Sequence, residues 1–269
     1  MNWNMSHQLT ADAITRGFQP ARIGRRVLLF DEIGSTNAYC LQVVAADGPG
    51  TDGTVVFAEF QSAGRGRLGR KWDCPRGAGL MFTALIWESP ERLSITRLMM
   101  ATAVGVCRGI EATTDVETLI RWPNDIYVRD RKIAGILAEA QPRAEGAMPV
   151  AIGVGINCLQ HAGHFPDEVR DRATSLEIES RGSVDRTELA RATLRELDDL
   201  LAPSGRWSDE ALASVWLERI GDIGQRVNVS CNGESFSGRV LDIHPDMGLL
   251  MQLDSGARRQ FDLATISRC

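Results

Sequence analysis

The 269-residue chain predicts an α+β protein: a central mixed or mostly antiparallel β-sheet with packed helices, then a small SH3-like β-barrel. Three observations lead there. Strand-like and helix-like stretches alternate without the regular βαβ period of a doubly wound fold. The texture changes at Gly221, after which only short β runs and turns follow. An apolar content of 43% in a chain of this length supports a sizeable core. The expected units are residues 1–220 and 221–269.

"RRVLLFDEI" (25–33) reads as a strand, and "STNAYCLQVVAAD" (35–47) as a helix with Ser35 or Thr36 at its N-cap. "TVVFAEF" (54–60) and "GLMFTALIW" (79–87) are buried strands on either side of a glycine–arginine loop. "SITRLMMATAVGVCRGIEA" (94–112) has apolar residues at helical spacing behind a serine cap. "TLIRW" and "DIYV" flank a Pro123-Asn124 turn, and "RKIAGILAEAQ" pairs back through "RDR" as a hairpin. "VAIGVGIN" (150–157) is a strand with two glycines, a sign of close approach by ligand or backbone. Residues 187–201 and 211–220 form amphipathic helices. Beyond them "QRVNVS", "ESFSGRVLDIH", "GLLMQLD" and "RRQFDLATIS" are the runs of the small barrel.

Net charge is −5, so the chain as a whole is no basic clamp for a long polyanion. Six scattered cysteines without a CxxC pair fit reduced thiols, no apolar run reaches membrane-spanning length, and the N-terminal residues do not read as a signal peptide. A cytoplasmic protein with no membrane association is the expectation. His161 and His164 read as solvated loop histidines ahead of a metal site.

The positive charge is local. "AGRGRLGRKW" (63–72) holds three arginines and a lysine among three glycines, with no acid. Gly64-x-Gly66-x-x-Gly69 matches the dinucleotide fingerprint in letters, but "KWDCPRGAG" after it carries Pro75 and two more glycines where that motif needs a helix. An RNA-binding arginine–glycine segment normally repeats; this one occurs once, between two strands. Glycines let backbone approach a ligand, and arginine forks grip phosphate or carboxylate oxygens. A loop with both can close over a phosphate-bearing ligand and exclude water. Of 30 basic residues only Lys71 and Lys132 are lysine, which singles out places where arginine does not serve.

"GSTN" (34–37), "QSAGRGRLGRKW" (61–72), "RWPNDI" (121–126), "RKIAGILAE" (131–139) and "GVGIN" (153–157) resemble, in order and spacing, the biotin protein ligases. The resemblance spans roughly residues 30–160 and implies a biotin/lipoate ligase-like catalytic domain. It implies formation of biotinoyl-5′-adenylate from biotin and ATP, with Mg²⁺ on the phosphates. Transfer to one lysine of a biotin carboxyl carrier protein domain follows. By the same resemblance Ser35, Thr36, Asn37 and Gln61 meet the biotin head group, whose ureido ring needs both donors and acceptors. Gly64, Arg65 and Gly66 close over biotin, Arg67 and Arg70 meet the phosphates, and Trp72 packs the closed loop. Lys132 lies where the biotin carboxylate attacks the α-phosphate, as a compact ammonium tracking the charge. Asn124 lines the site and Asp125 steers the incoming lysine. Gly135, Gly153 and Gly155 let backbone lie against the ligand, and Asn157 reaches the nucleotide.

Some assignments have a plainer alternative: helix capping for Ser35 and Thr36, core packing for Trp72, turn chemistry for Asn124-Asp125. Family members often carry lysine where Arg121 stands. The 33 residues before Gly34 are too few for the helix-turn-helix some members carry, so no DNA binding is expected, and the chain is a monomer or homodimer. The rival readings are a lipoate or octanoate ligase or transferase, or a non-enzymatic ligand sensor or nucleic-acid-binding module.

Overall fold

The computed structural model describes residues 8–143, 146–203, 205–262 and 266–268. In chain order the elements are α1 (Ala11–Thr15), β1 (Arg26–Phe30), α2 (Thr36–Gln42), β2 (Thr54–Ala58), β3 (Gly79–Glu88), α3 (Ile95–Thr113) and β4 (Leu119–Arg121). There follow β5 (Asp125–Val128), β6 (Arg131–Ala140), β7 (Met148–Asn157), α4 (Asp167–Arg170), α5 (Leu176–Glu179), α6 (Arg186–Leu201) and α7 (Asp209–Glu218). The C-terminal strands are β8 (Arg226–Cys231), β9 (Glu234–His244), β10 (Gly248–Leu253), β11 (Arg258–Phe261) and β12 (Ile266–Arg268).

The first seven strands form one sheet in the order β1-β2-β3-β7-β6-β5-β4. Only β1 and β2 are parallel; every other neighbour is antiparallel, giving the expected mixed sheet. One face packs on α3 and α6, with Phe57, Phe82, Val104, Ile110, Leu194 and Leu197 in the shared core. The two helices cross closely because α3 has no side chain at the contact. A Cβ on Gly105 would come within 2.8 Å of Leu197 and one on Gly109 within 2.4 Å of Thr193 Oγ1. The other face is covered by α2 at one end, over Val56, Leu85 and Ala151, and the rest of it stays open.

The predicted helix over 35–47 is shorter than its pattern. Ser35 caps α2, its Oγ facing the Ala38 N–H at 3.5 Å, and the helix stops at Gln42. The β-branched pair Val43-Val44 and then Gly48-Pro49-Gly50 break it into two 3₁₀ turns. The small C-terminal sheet has five strands, β11-β10-β9-β8-β12. The last predicted run divides into β11 and β12; residues 263–265 between them, like Cys269 and residues 1–7, lie outside the described residues. The chain enters this sheet through a tether: Ile120 N–H donates to Arg219 O and Gly221 N–H to Ile120 O, at 2.8 and 3.0 Å. Among the described residues no helix is long and apolar enough to cross a membrane.

A buried ion pair fastens helix to sheet. Arg186 at the start of α6 meets Glu59 at 2.6 Å, with side chains 4% and 5% exposed. Glu59 also accepts the Leu9 N–H, and Arg186 donates to Gly79 O. Removing one partner of such a pair strands the other charge. Glu59→Leu should therefore lower stability by about 3–5 kcal/mol in urea unfolding; a loss under about 1 kcal/mol is what a screened surface pair gives and would contradict this role.

Candidate active site

The open part of the sheet face is a cavity of about 620 Å³ whose floor is made of glycines. On a strand, residues two apart share a face. Gly153 and Gly155 of β7 therefore point the same way, and Gly135 and Leu137 of β6 lie opposite them in register. The trough fits side chains closely: a Cβ on Gly155 would sit 2.4 Å from the Trp72 ring, and one on Gly153 2.3 Å from Asn37 Oδ1. Trp72 thus lies across the glycine strip, with its buried indole N–H unpaired among the described residues.

The closed end of the cavity is polar. Thr36 N–H and hydroxyl both lie on Gln61 Oε1, at 2.8 and 3.1 Å, while Gln61 Nε2 faces Met81 Sδ at 3.4 Å. Thr83 Oγ1 lies 2.8 Å from Thr36 Oγ1 and 2.6 Å from Asn37 Oδ1. Asn37 Nδ2 donates to Glu139 Oε2 at 2.8 Å. Capping by Ser35 therefore coexists with its position in the cavity wall.

Over the trough the glycine–arginine loop folds as a hairpin of its own. Gly66 N–H donates to Arg70 O and Trp72 N–H to Gly64 O, at 2.7 and 3.1 Å. Gly64 is obligatory there, since a Cβ would stand 2.4 Å from the Trp72 carbonyl oxygen. Arg65 reaches Glu139 at 2.8 Å. Arg67 reaches Asn124 Oδ1 at 3.1 Å and the Ile266 carbonyl at 3.3 Å, so the C-terminal sheet holds the loop as well. Burial pushes the Arg67 guanidinium pKa down, with Asp125 acting against that and Arg70 adding to it. Gly66 and Arg70 border the same cavity.

Lys132 owes its place to a β-bulge. Asp125 faces Gly135 and Ile126 faces Ala134, but the next residue, Tyr127, faces Lys132, so Ile133 is extra. In a regular strand residues 132 and 135 point to opposite faces; the added residue brings both onto the cavity side. Lys132 Nζ then lies 2.6 Å from Asp125 Oδ1 and 5.8 Å from the Trp72 ring centre. The contact with Asp125 is a close ion pair without hydrogen-bond alignment.

Asn157 lines the cavity with both ends of its amide engaged: Nδ2 donates to Thr174 O at 3.0 Å and Oδ1 accepts from Gln160 at 2.9 Å. Arg121, the position where lysine was noted, stacks on Tyr127 at 4.7 Å and pairs with Asp130 at 2.6 Å, a use suited to a planar guanidinium. The residues that the family resemblance singled out thus line this cavity or, in the case of Gly64, belong to its loop. Glu139, Thr83 and Tyr127 were missed; of these, Glu139 had a signal, the one acid in a strand whose middle is apolar. His161 and His164 are exposed, with His161 N–H donating to His164 Nδ1 at 3.1 Å. Among the described residues no group of three or more His, Cys, Asp or Glu side chains is placed to hold a metal. Cys74 lies behind the cavity, its Sγ 3.2 Å from Gln160 Nε2, and burial pushes its thiol up to about 12.

Comparison with known proteins accords with this geometry. The model of the biotin/lipoate A/B protein ligase family matches residues 34–157, the segment holding the cavity floor, the loop and Lys132. A biotin–[acetyl-CoA-carboxylase] ligase of Mycobacterium tuberculosis is 36% identical over 241 residues, covering 87% of this chain and 85% of that protein. The chain belongs to the biotin/lipoate A/B protein ligase family. The bifunctional ligase/repressor BirA of Bacillus spizizenii is 29% identical over 252 residues, which is 94% of this chain and 77% of that one. A biotin protein ligase from Aquifex aeolicus, solved in complex with biotin and ATP, superposes with a TM-score of 0.74 at 23% identity. That match covers 91% of this chain and all of the other.

The glycine trough is the most sensitive feature of the site. Gly155→Ala should displace the Trp72 indole and overpack the floor by about 1–3 kcal/mol. The expected result is a lower urea unfolding midpoint with little change in the far-ultraviolet dichroism of the folded protein. An unchanged midpoint would show that the indole–glycine contact does not shape the site.

Proposed function

We propose that the chain is an ATP-dependent biotin protein ligase: it activates biotin to biotinoyl-5′-AMP with release of pyrophosphate. It then passes the biotinoyl group to a lysine of a biotin carboxyl carrier protein domain. The observation that carries this reading is the single cavity joining a donor–acceptor end at Thr36 and Gln61 to the Lys132–Asp125 pair under an arginine loop. Residues 1–220 would hold the chemistry, with residues 221–269 bracing the loop through Ile266.

The ureido ring would lie at the Ser35–Asn37 end, and the valeryl chain would run along the glycine trough. The carboxylate oxygen attacks the α-phosphorus and the bond to pyrophosphate breaks; no protein nucleophile is needed. Lys132 supplies positive charge where the pentacoordinate phosphorus gathers negative charge, and Arg67 and Arg70 add to it. An arriving phosphate competes with Asp125 for the ammonium. The freed carboxylate can then receive the proton of the carrier lysine as its amine attacks the acyl carbon and AMP departs. Mg²⁺ would enter on the phosphates of ATP as part of the substrate. Trp72 and Gly64 to Gly66 would keep water from the adenylate.

Isotope exchange of pyrophosphate into ATP tests the reading, with biotin, lipoate or octanoate added in turn. Exchange with biotin alone is expected. Exchange with lipoate or octanoate alone would move the substrate, and none with any acid would overturn the enzymatic reading in favour of a binding module. Lys132→Ala should slow adenylate formation by about 10²–10³-fold with the fold intact; retention of most of the activity would contradict its assignment. Arg65→Ala and Glu139→Gln should both hasten escape of the adenylate, measured as its dissociation rate. An unchanged rate in either would rule out the latch between loop and strand. Alkylating reagents at neutral pH should leave activity unaffected, because the buried Cys74 thiol stays protonated there; inactivation that substrate prevents would point to thiol-dependent acyl transfer instead.

A further inference from the structure

The bulge that turns Lys132 toward the cavity also removes part of its strand support. Ladder pairing of β6 with β7 begins only at Ala134, because β7 ends at Asn157. A segment from far along the chain takes the missing place. Lys132 N–H donates to Arg172 O at 2.8 Å, and Thr174 N–H donates to Lys132 O at 2.9 Å. The same Thr174 accepts the Asn157 amide on its carbonyl, so one residue ties down both Lys132 and the end of β7.

What holds Thr174 is a buried carboxylate. Its hydroxyl donates to Glu179 Oε1 at 2.7 Å, and the Glu179 side chain is 2% exposed. Glu179 also binds the Arg131 guanidinium and lies 3.3 Å from that of Arg129. These two arginines flank the β5–β6 turn, where Arg129 adopts a left-handed φ of 53°. A non-glycine residue held there signals a turn that its surroundings over-determine. Lys132 is therefore gripped from both sides by groups that converge on one carboxylate: the turn before it and the Arg172–Thr174 segment beside it.

We propose that Glu179, acting through Thr174, Arg131 and Arg129, is the positioning residue that aims the Lys132 ammonium. A lysine is a point charge on a flexible stem, so its aim is set by how firmly its backbone is held. The proposal rests on the reading of Lys132 as the reacting cation, and its test separates the two. Because the chain has only two lysines, labelling with lysine carrying ¹³C at Cε places Lys132 and Lys71 as two resonances, the second an internal control.

In the full-length protein, Glu179→Gln and Thr174→Val should each shift the Lys132 resonance and leave Lys71 unmoved. Biotin-dependent exchange should fall roughly 10- to 10²-fold in kcat, as misplacement of a reacting group does, while KM for biotin stays the same. Thr174→Ser, which retains the hydroxyl, should behave as the parent and guards against a variant that fails to fold. A Lys132 resonance identical in parent and in folded Glu179→Gln protein overturns the positioning role. So does an equal loss in Thr174→Ser and Thr174→Val. Full exchange activity in Lys132→Ala overturns the reading of the lysine itself, whatever the spectra show.

Discussion

One extra residue in a strand governs this site. If residues 131–136 alternated as a regular strand with no bulge at Ile133, Lys132 would fall on the face occupied by Ala134 and Ile136 against the helices. An unpaired ammonium there is costly by several kcal/mol, so the chain has no acceptable regular register. With the bulge, the same lysine comes out beside Asp125 and over Gly135, and the apolar residues on either side keep their core positions. The Arg172–Thr174 segment, the Asn157 amide and the Glu179 carboxylate all supply bonds around the place where the ladder is interrupted.

The second constraint is a lack of side chains. Gly135 faces Gly155 and Leu137 faces Gly153 across two central strands, leaving a trough in the middle of a sheet that is otherwise well packed. Central strands tolerate glycine poorly unless something else fills the space. Here the Trp72 indole does so in part, and the loop that carries it is ordered by its own backbone bonds together with Glu139, Asn124 and Ile266. Those partners come from β6, from the turn before β5 and from the C-terminal sheet. The cationic loop of an acidic protein is thus held by short-range contacts and not by a general field.

Much of this was legible in the linear order of residues. The strands β3 and β7 announced themselves as apolar runs, the helices α3 and α6 by hydrophobic period and α3 also by its serine cap, which are local properties. The glycine–arginine loop stood out by composition, and Lys132 by the scarcity of lysine. The helix over 35–47 was overextended because apolar spacing continues through Val43 and Val44 although their backbone does not.

By itself, the sequence determined the main strands and long helices and the mixed-sheet architecture with its β-rich tail, because side-chain chemistry and periodicity act over a few neighbours; its resemblance to the biotin protein ligases pointed to most of the residues that gather at the cavity. Tertiary structure alone decided the direction of the Lys132 side chain, the use of Arg121 as a stacked cation, the engagement of both ends of Asn157 and the convergence on Glu179. Each of these depends on register or on contacts between segments far apart in the chain, where a shift of one residue exchanges the two faces of a strand.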